Sequence, residues 1–584
     1  MNINLEALLG RIIDISIHNF RGIKKFSQRF NSDFICLIGR GDSGKTTILD
    51  AISAVLSPAW NRTFYDTDFH QCDIEKPIEI IVSMINFPPE LLKDHKYGLY
   101  SRFLNPENGD IEDVLTDGYQ NVLTLKLIVD KTLEPNWTVT NSREQEDKPI
   151  SASDRAKLNC FIVSDYIDRH FSWNKGNPLY SLLKAKETNP EDENKNIVID
   201  ALREAKEKID EGSFDNLSDV VADITRSASA FGLDISKTHT TIDFKDLTIK
   251  DGRLCLHDKN IPFRLKGKGS KRLASIAIQS ALSKEGGIML IDEIEQGLEP
   301  DRIGLLARTL KEENSGQIFI TTHSRDVVVE LSSEDLIVLH KDKDTFEMKV
   351  SPLDYNRKQL QGVVRACPEA FFAKKVIVCE GATEVGICRA LDKYRKNNGK
   401  SLMSFVDCAY VDGAGSEFVN RALQINEAEI SVVAFCDSDD TGINDHKSRM
   451  RDSGVSIVDC EEGNSIEDQS FFDLPWAQVL ELVDYAVKAH SKTKAVVEDE
   501  ILRNYSEDSL PESWRDNETL ELRKAIASAS QQKHKEREDK RKSWFKRIDH
   551  GEVLGGVIFN CMETMDDTKA LKMMFTNLSN WIDA

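Results

Sequence analysis

Two groups of residues in this sequence are suited to phosphate chemistry, each in a different way. Residues 39–46 read Gly-Arg-Gly-Asp-Ser-Gly-Lys-Thr, a full G-x-x-x-x-G-K-[ST] pattern. Gly39, Gly41 and Gly44 leave room for backbone N–H groups to face phosphate oxygens at a helix start. Lys45 would reach the β and γ phosphates of a nucleotide and Thr46 its Mg²⁺, with Thr47 completing the loop. Far along the chain comes a carboxylate series: Glu380 and Glu384, Asp437 and Asp439, Glu467 and Asp468. Hard oxygen donors at this density suit Mg²⁺ or Mn²⁺. Such ions can activate water against a phosphodiester.

The apolar pattern places both groups at the ends of strands. Residues 34–38 predict a strand feeding the glycine loop, and 46–56 a helix stopped near Ser57-Pro58. A second apolar run, 288–291, ends in Asp292-Glu293. Asp292 would hold Mg²⁺ through water, and Glu293 would orient the attacking water. A third, 317–322, ends at His323, placed to sense a γ phosphate. In the second unit, the strand from 373 delivers Glu380 into a glycine turn. The strand 405–411 leads to Asp412, and 430–436 delivers Asp437 and Asp439. Helical stretches separate them, which predicts a parallel sheet whose strand C-termini share one ligand-binding edge.

These motifs carry a resemblance. The loop, a long insertion, Gly-Lys-Gly-Ser at 267–270, Asp292-Glu293, Glu-Gln-Gly-Leu-Glu-Pro at 295–300 and Thr322-His-Ser resemble an ABC-type ATPase. Asn19-Phe-Arg-Gly resembles the branch shared by recombination and chromosome-structure proteins. That resemblance implies that Gly269 and Ser270 contact ATP bound to another subunit, and that Gln71 is the Q-loop glutamine. The E-G-x-x-E at Glu380–Glu384 and the D-x-D at Asp437–Asp439 resemble a Toprim domain. An ATPase followed by a Toprim domain is similar to the overcoming-lysogenization-defect (OLD) nucleases.

The OLD resemblance implies two Mg²⁺ or Mn²⁺ ions, DNA as substrate, and Glu467 and Asp468 as later metal ligands. It also implies a C-terminal active-site lysine, either Lys546 in Trp-Phe-Lys-Arg-Ile or Lys542. The family further implies a homodimer or higher oligomer and a role in bacterial antiphage defence. A retron reverse transcriptase with its RNA–DNA hybrid, or a helicase-like companion, is an implied partner.

At 584 residues the chain exceeds one core, and about three to five units are expected. The expected α/β architecture is an ABC-type P-loop ATPase (1–154 and 236–355) carrying a helical dimerisation insert (155–235). A Toprim parallel-sheet domain (370–480) and a helical, polar C-terminal segment (481–584) follow. The net charge of −22, from 76 basic and 98 acidic side chains, argues against nonspecific coating of DNA. Basic clusters occur at Lys266, Lys268, Lys271 and Arg272, and between Lys533 and Arg547, where acids are interleaved. No apolar run has membrane-spanning length, no secretion signal is seen, and the eleven cysteines form no C-x-x-C pair. A cytoplasmic location and reduced thiols are expected. A competing reading is a DNA-repair or chromosome-associated clamp whose Toprim domain only binds nucleic acid. A topoisomerase or primase fits less well, for want of a strand-passage domain or a zinc-binding cysteine cluster.

Overall fold

A computed structural model describes residues 10–584 except 60, 165–166, 173–176, 180, 183–203, 205–206, 209–255, 285–286, 314–315, 343–344, 353–359 and 533–542. Most of the expected insert, Lys542 and most of the basic run after 533 therefore lie outside the described residues.

The first unit has two sheets. One is antiparallel and runs, in order, through Ile23–Arg29, Arg11–Phe20, Ile78–Ile85 and Gln120–Val129. The other holds Cys160–Val163, Ile288–Ile291, Ile318–Thr321, Phe34–Ile38 and Leu336–Lys341 in parallel, with Met348–Pro352 antiparallel at its edge. Phe34–Ile38, Ile288–Ile291 and Ile318–Thr321 are buried at every residue. Continuous apolar runs of this kind mark strands covered on both faces. The three motif-bearing strands are neighbours, so the glycine loop, Asp292-Glu293 and His323 leave the same sheet edge. The helix Lys45–Leu56 follows the loop and packs Ile48, Leu49, Ile52 and Val55 between the two sheets.

The second unit is a four-stranded parallel sheet in the order Cys408–Asp412, Lys375–Cys379, Ser431–Cys436, Ser456–Asp459. The expected strand 405–411 starts later: Met403–Val406 is a 3-10 turn, and Asp407 is left-handed at φ 59°. Alternation along the strands gives each sheet face its own core. Val376, Val378, Val432 and Ala434 join a core that runs through Leu360, Val363 and Phe371 to Phe34, Cys36 and Ile320 of the first unit. Ile377, Cys379, Val433 and Phe435 face the C-terminal helices, including Leu554, Ile558 and Phe575.

The reading of the C-terminal segment as polar is thereby corrected. Its apolar residues are spaced so that one face of each helix completes the second core, and Trp544 and Phe545 are fully buried. The contact is closest where the helix Ala382–Asn397 meets Ile548–Asn560. A Cβ on Gly386 would stand 2.3 Å from Ile548 O, and one on Gly551 2.4 Å from Thr383 O. Backbone on backbone leaves no side chain to yield.

Gly551→Val should therefore cost about 1–3 kcal/mol or more by overpacking. The expected signs are a lower Tm and faster amide exchange in the Ile548–Asn560 helix, with protection kept in the first unit. Exchange unchanged in that helix would contradict the close packing.

Candidate functional site

The glycine loop takes the backbone its sequence calls for. Gly39 has φ 144° and Gly44 φ 86°, which favour glycine. The Lys45 ammonium donates to Gly39 O at 2.9 Å, Arg40 O at 2.8 Å and Ser43 Oγ at 3.3 Å. Burial pulls its pKa down to about 8, opposed by Asp292 and Glu293. Thr46 Oγ1 donates to Asp292 Oδ1 at 2.9 Å, and Thr321 Oγ1 to the same oxygen at 2.7 Å. The Mg²⁺-ligand candidates thus already touch across two strands. The loop residues fit a nucleotide triphosphate: Lys45 now satisfies loop carbonyls that phosphate oxygens would replace as its partners.

Glu293 sits at φ 48°, a strained position for a residue other than glycine. Thr321 Oγ1 accepts from its N–H at 2.7 Å, and Arg272 donates to its carbonyl at 2.8 Å. Arg272 is buried and also donates to Asp292 O and, at 2.8 Å, to Gln296 Oε1. The basic cluster expected at 266–272 is therefore not an open patch. Arg272 braces the Asp-Glu turn, Lys266 pairs with Asp258 at 2.6 Å, and Lys271 with Asp168 at 2.9 Å. Glu295 accepts from Thr322 Oγ1 at 2.7 Å and from the His323 N–H at 2.6 Å. The His323 pKa is lowered, chiefly by burial and then by Lys45, which favours the neutral ring.

Gly269 and Ser270 occupy the first turn of the helix Lys268–Lys284, where Ser270 is exposed. A Cβ on Gly269 would meet Gly297 O at 2.4 Å, so this glycine is also required for packing. Gln71 is exposed at φ 55°, and among the described residues no hydrogen bond links it to the glycine loop.

The second unit gathers acids from two strand ends and two helices. Glu380 Oε2 accepts from the Asp437 N–H at 2.9 Å. Asp437 Oδ1 accepts from the Ile466 N–H at 2.7 Å, which ties it to the helix Ile466–Asp473 carrying Glu467. Glu384 Oε2 accepts from the Gly381 N–H at 2.9 Å. Glu384, Asp437 and Glu467 are buried. Glu384 Oε1 and both Glu467 oxygens are buried without a hydrogen bond. The Lys546 ammonium stands 3.4 Å from Glu467 Oε1 and 4.0 Å from Asp437 Oδ2. Thr383 Oγ1 donates to Phe545 O at 3.1 Å and so holds the neighbouring backbone. Of the two lysines expected from the sequence, Lys546 is thus placed at the acids. Asp439 is exposed, and its charge is felt at Glu380. Asp468 Oδ2 accepts from Ser465 N and Oγ at 3.2 and 2.9 Å, closing a capping box.

The donor set fits a hard divalent cation: oxygens only, several orphaned in a buried place. Among the described residues no three His, Cys, Asp or Glu side chains are gathered tightly enough to hold an ion as they stand. The ammonium of Lys546 occupies the meeting point of the charges instead. Burial pushes Glu384 up to about 7, with Glu380 and Glu467 adding to the rise and Lys546 opposing it. Burial likewise raises Glu380 and Asp437. Glu467 raises the Lys546 pKa more than burial lowers it.

Residues 34–330, more than half the chain, match the family model described as AAA domain, putative AbiEii toxin, Type IV TA system. Residues 371–439 match the overcoming lysogenization defect protein-like TOPRIM domain. The chain therefore belongs to the P-loop ATPases of the first family and carries a Toprim domain after it. Together these make it an ATPase–Toprim fusion of the OLD family. No curated protein matches it. Among solved structures, an Smc head bound to the C-winged helix domain of ScpA is 15% identical, with TM-score 0.35, over 60% of this chain and 99% of that one. An Smc head bound to the C-terminal domain of ScpA, from Pyrococcus furiosus, gives 16%, 0.33, 61% and 100%. The recombination mediator RecF with ATP gives 15%, 0.28, 55% and 94%.

Lys45→Ala should abolish nucleotide binding, because no neighbour replaces its charge on the phosphates. Glu293→Gln should bind ATP and turn it over very slowly. Fluorescent-nucleotide titration and phosphate release separate the two; normal turnover by Glu293→Gln would move its role elsewhere. A second expectation follows from Glu384. Its folded value near 7 exceeds the ordinary 4.5. The metal-free fold then binds more protons than the unfolded chain between those values and loses stability as pH rises through them. Cations bind the ionised form. Mn²⁺ affinity should therefore rise with pH up to about 7, and calorimetry in two buffers should show proton release at pH 6.5 that fades by pH 8.5. Binding without proton release at pH 6.5 would show Glu384 already ionised there and overturn its raised pKa.

Proposed function

We propose that this protein is an ATP-regulated, divalent-metal-dependent DNA endonuclease. One observation carries the reading: Glu380, Glu384, Asp437 and Glu467 converge, with orphaned buried oxygens, around a lysine contributed by the C-terminal segment. A nucleic-acid clamp has no use for mutually repelling buried acids. Each costs several kcal/mol unless paired or bound to metal. Two Mg²⁺ or Mn²⁺ ions, held by these acids with Asp439 and Asp468 as further ligands, would supply an activated water and a stabilised leaving oxygen. The chain's own part is to hold Asp437 through the Ile466 N–H, beside Glu467 on the same helix. Lys546 places a positive charge where a phosphate would enter.

In the first unit, Lys45, Thr46 and Asp292 would hold ATP and Mg²⁺, Glu293 would orient water, and His323 would face the γ phosphate. Gly269 and Ser270, on an exposed helix start, would complete the site of a second subunit. That makes at least a dimer the working form, and Gln71 a secondary candidate at the nucleotide. The matched models are named for a putative toxin of a type IV TA system and for overcoming lysogenization defect, which supports a defence reading. We therefore read the protein as a cytoplasmic defence effector acting with a retron reverse transcriptase and its RNA–DNA hybrid, or with a helicase-like companion.

Glu380→Ala and Asp437→Ala should each eliminate cleavage of plasmid and phage DNA while ATP hydrolysis continues. Each removes a ligand from a site holding ions about 4 Å apart. EDTA should stop the parent. An Asp437 variant that cuts as fast as the parent would refute the reading. A parent that cuts in no metal, nucleotide or partner condition would favour the clamp.

A further inference from the structure

The acidic site has a second lysine that no motif marks. Lys447 opens the short helix Lys447–Asp452 and is 8% exposed. An ammonium has three N–H donors, and this one meets three acceptors. It lies 2.8 Å from Asp459 Oδ2, 3.0 Å from Ser438 Oγ and 3.5 Å from Asp437 O. The acceptors belong to two adjacent strand ends, those of Ser431–Cys436 and Ser456–Asp459.

Ser438 extends the connection. Its Oγ donates to Cys460 O at 2.8 Å, and its N–H to Asn464 O at 2.9 Å. Its carbonyl accepts from Gly463 N at 3.2 Å and Asn444 Nδ2 at 2.8 Å. The turn bearing Asp437 is thus fastened to the loop that leads into Glu467. It needs fastening, because Glu384 and Glu467 both repel the Asp437 carboxylate. Lys546 approaches from the more open side, with 34% of its side chain exposed, whereas Lys447 has 10%.

We infer that Lys447 is a positioning residue of the acidic site, which fixes through Ser438 Oγ and the Asp437 carbonyl the turn that presents Asp437 to a divalent cation. The inference rests on the metal-site reading above. A bland alternative is an ion pair with Asp459 that supports the fold and nothing else.

The full chain with Mn²⁺ alone as probe separates the two. Residues that hold metal ligands in place typically cost about tenfold or more in metal affinity when removed. Lys447→Met should weaken Mn²⁺ binding in calorimetry by about that factor. Its plasmid cleavage should half-saturate at correspondingly higher Mn²⁺, and ATP hydrolysis should be unchanged. Ser438→Ala, which keeps the Lys447–Asp459 pair, should also weaken Mn²⁺ binding, and it carries the test if Lys447→Met fails to fold. A Lys447→Met protein with lower Tm but parental Mn²⁺ affinity overturns the inference, as does parental affinity in Ser438→Ala. A parent that binds Mn²⁺ but cuts no DNA sinks the nuclease reading, and the variant affinities still decide the role of Lys447. A parent that binds no Mn²⁺ overturns both.

Discussion

Mutual repulsion among buried carboxylates is the constraint around which the second unit is arranged. Glu384, Asp437 and Glu467 are nearly excluded from water, and each raises the cost of ionising another. Isolated charges in such a place would take up protons or force water in. Three devices answer this. Backbone N–H groups of Gly381, Asp437 and Ile466 donate to Glu384, Glu380 and Asp437 respectively. Lys546 sets a positive charge against Glu467 and Asp437. Glu384 holds a proton more readily than an ordinary glutamate. The ends of two neighbouring parallel strands supply the Gly381 and Asp437 N–H groups, and the start of the helix Ile466–Asp473 supplies the third.

The position of Lys546 then explains why the C-terminal helices are packed as core. A lysine on a loose tail would lose its favourable charge to water and rotamer freedom. Here Trp544 and Phe545 are fully buried immediately before it, and Thr383 holds the Phe545 carbonyl. Two residues after Lys546 begins the glycine-lined helix, pressed backbone to backbone on the helix that follows Glu380. The sheet edge and the lysine are therefore set by one packing contact rather than by separate elements.

What was legible in the sequence divides along the same physical line. The glycine loop, Asp292-Glu293, Glu380–Glu384 and Asp437 announce themselves because local backbone geometry demands particular residues at fixed spacing. Lys546 could be proposed from family resemblance, and its geometry came from contacts with residues far off in the chain. Arg272 looked like part of a basic surface because sequence shows charge and not direction. In the fold it turns inward to carbonyls twenty or more residues away. Asp468 and Glu467 are adjacent and chemically alike, yet one side chain closes a helix cap and its neighbour faces Lys546. Which does which depends on where the helix begins. The shared core was illegible for a related reason: alternation shows that a strand has two buried faces, not what covers each.

Beside that shared core a polar contact also ties the two halves together. Arg40 belongs to the glycine loop, and its carbonyl accepts from Lys45 at 2.8 Å. Its guanidinium leaves the loop for the second unit, where Nε meets Asp407 Oδ1 at 2.9 Å and the far end donates to Ser404 O. Asp407 sits one residue before the strand Cys408–Asp412, which pairs with the strand that delivers Glu380. A cavity of about 290 Å³ beside this contact is lined by Gly39–Ser43 on one side and Phe372, Ala373, Lys374 and Asp407 on the other. The loop thus has free volume next to it and a fixed charge contact across it. A phosphate that draws Lys45 off the Arg40 carbonyl acts on a residue whose side chain the second unit already holds. Asp407 stands at the N-terminal end of its strand, beside Lys374 and a full strand length from Glu380, so the contact fixes how the second unit sits against the loop from the sheet edge opposite the acids.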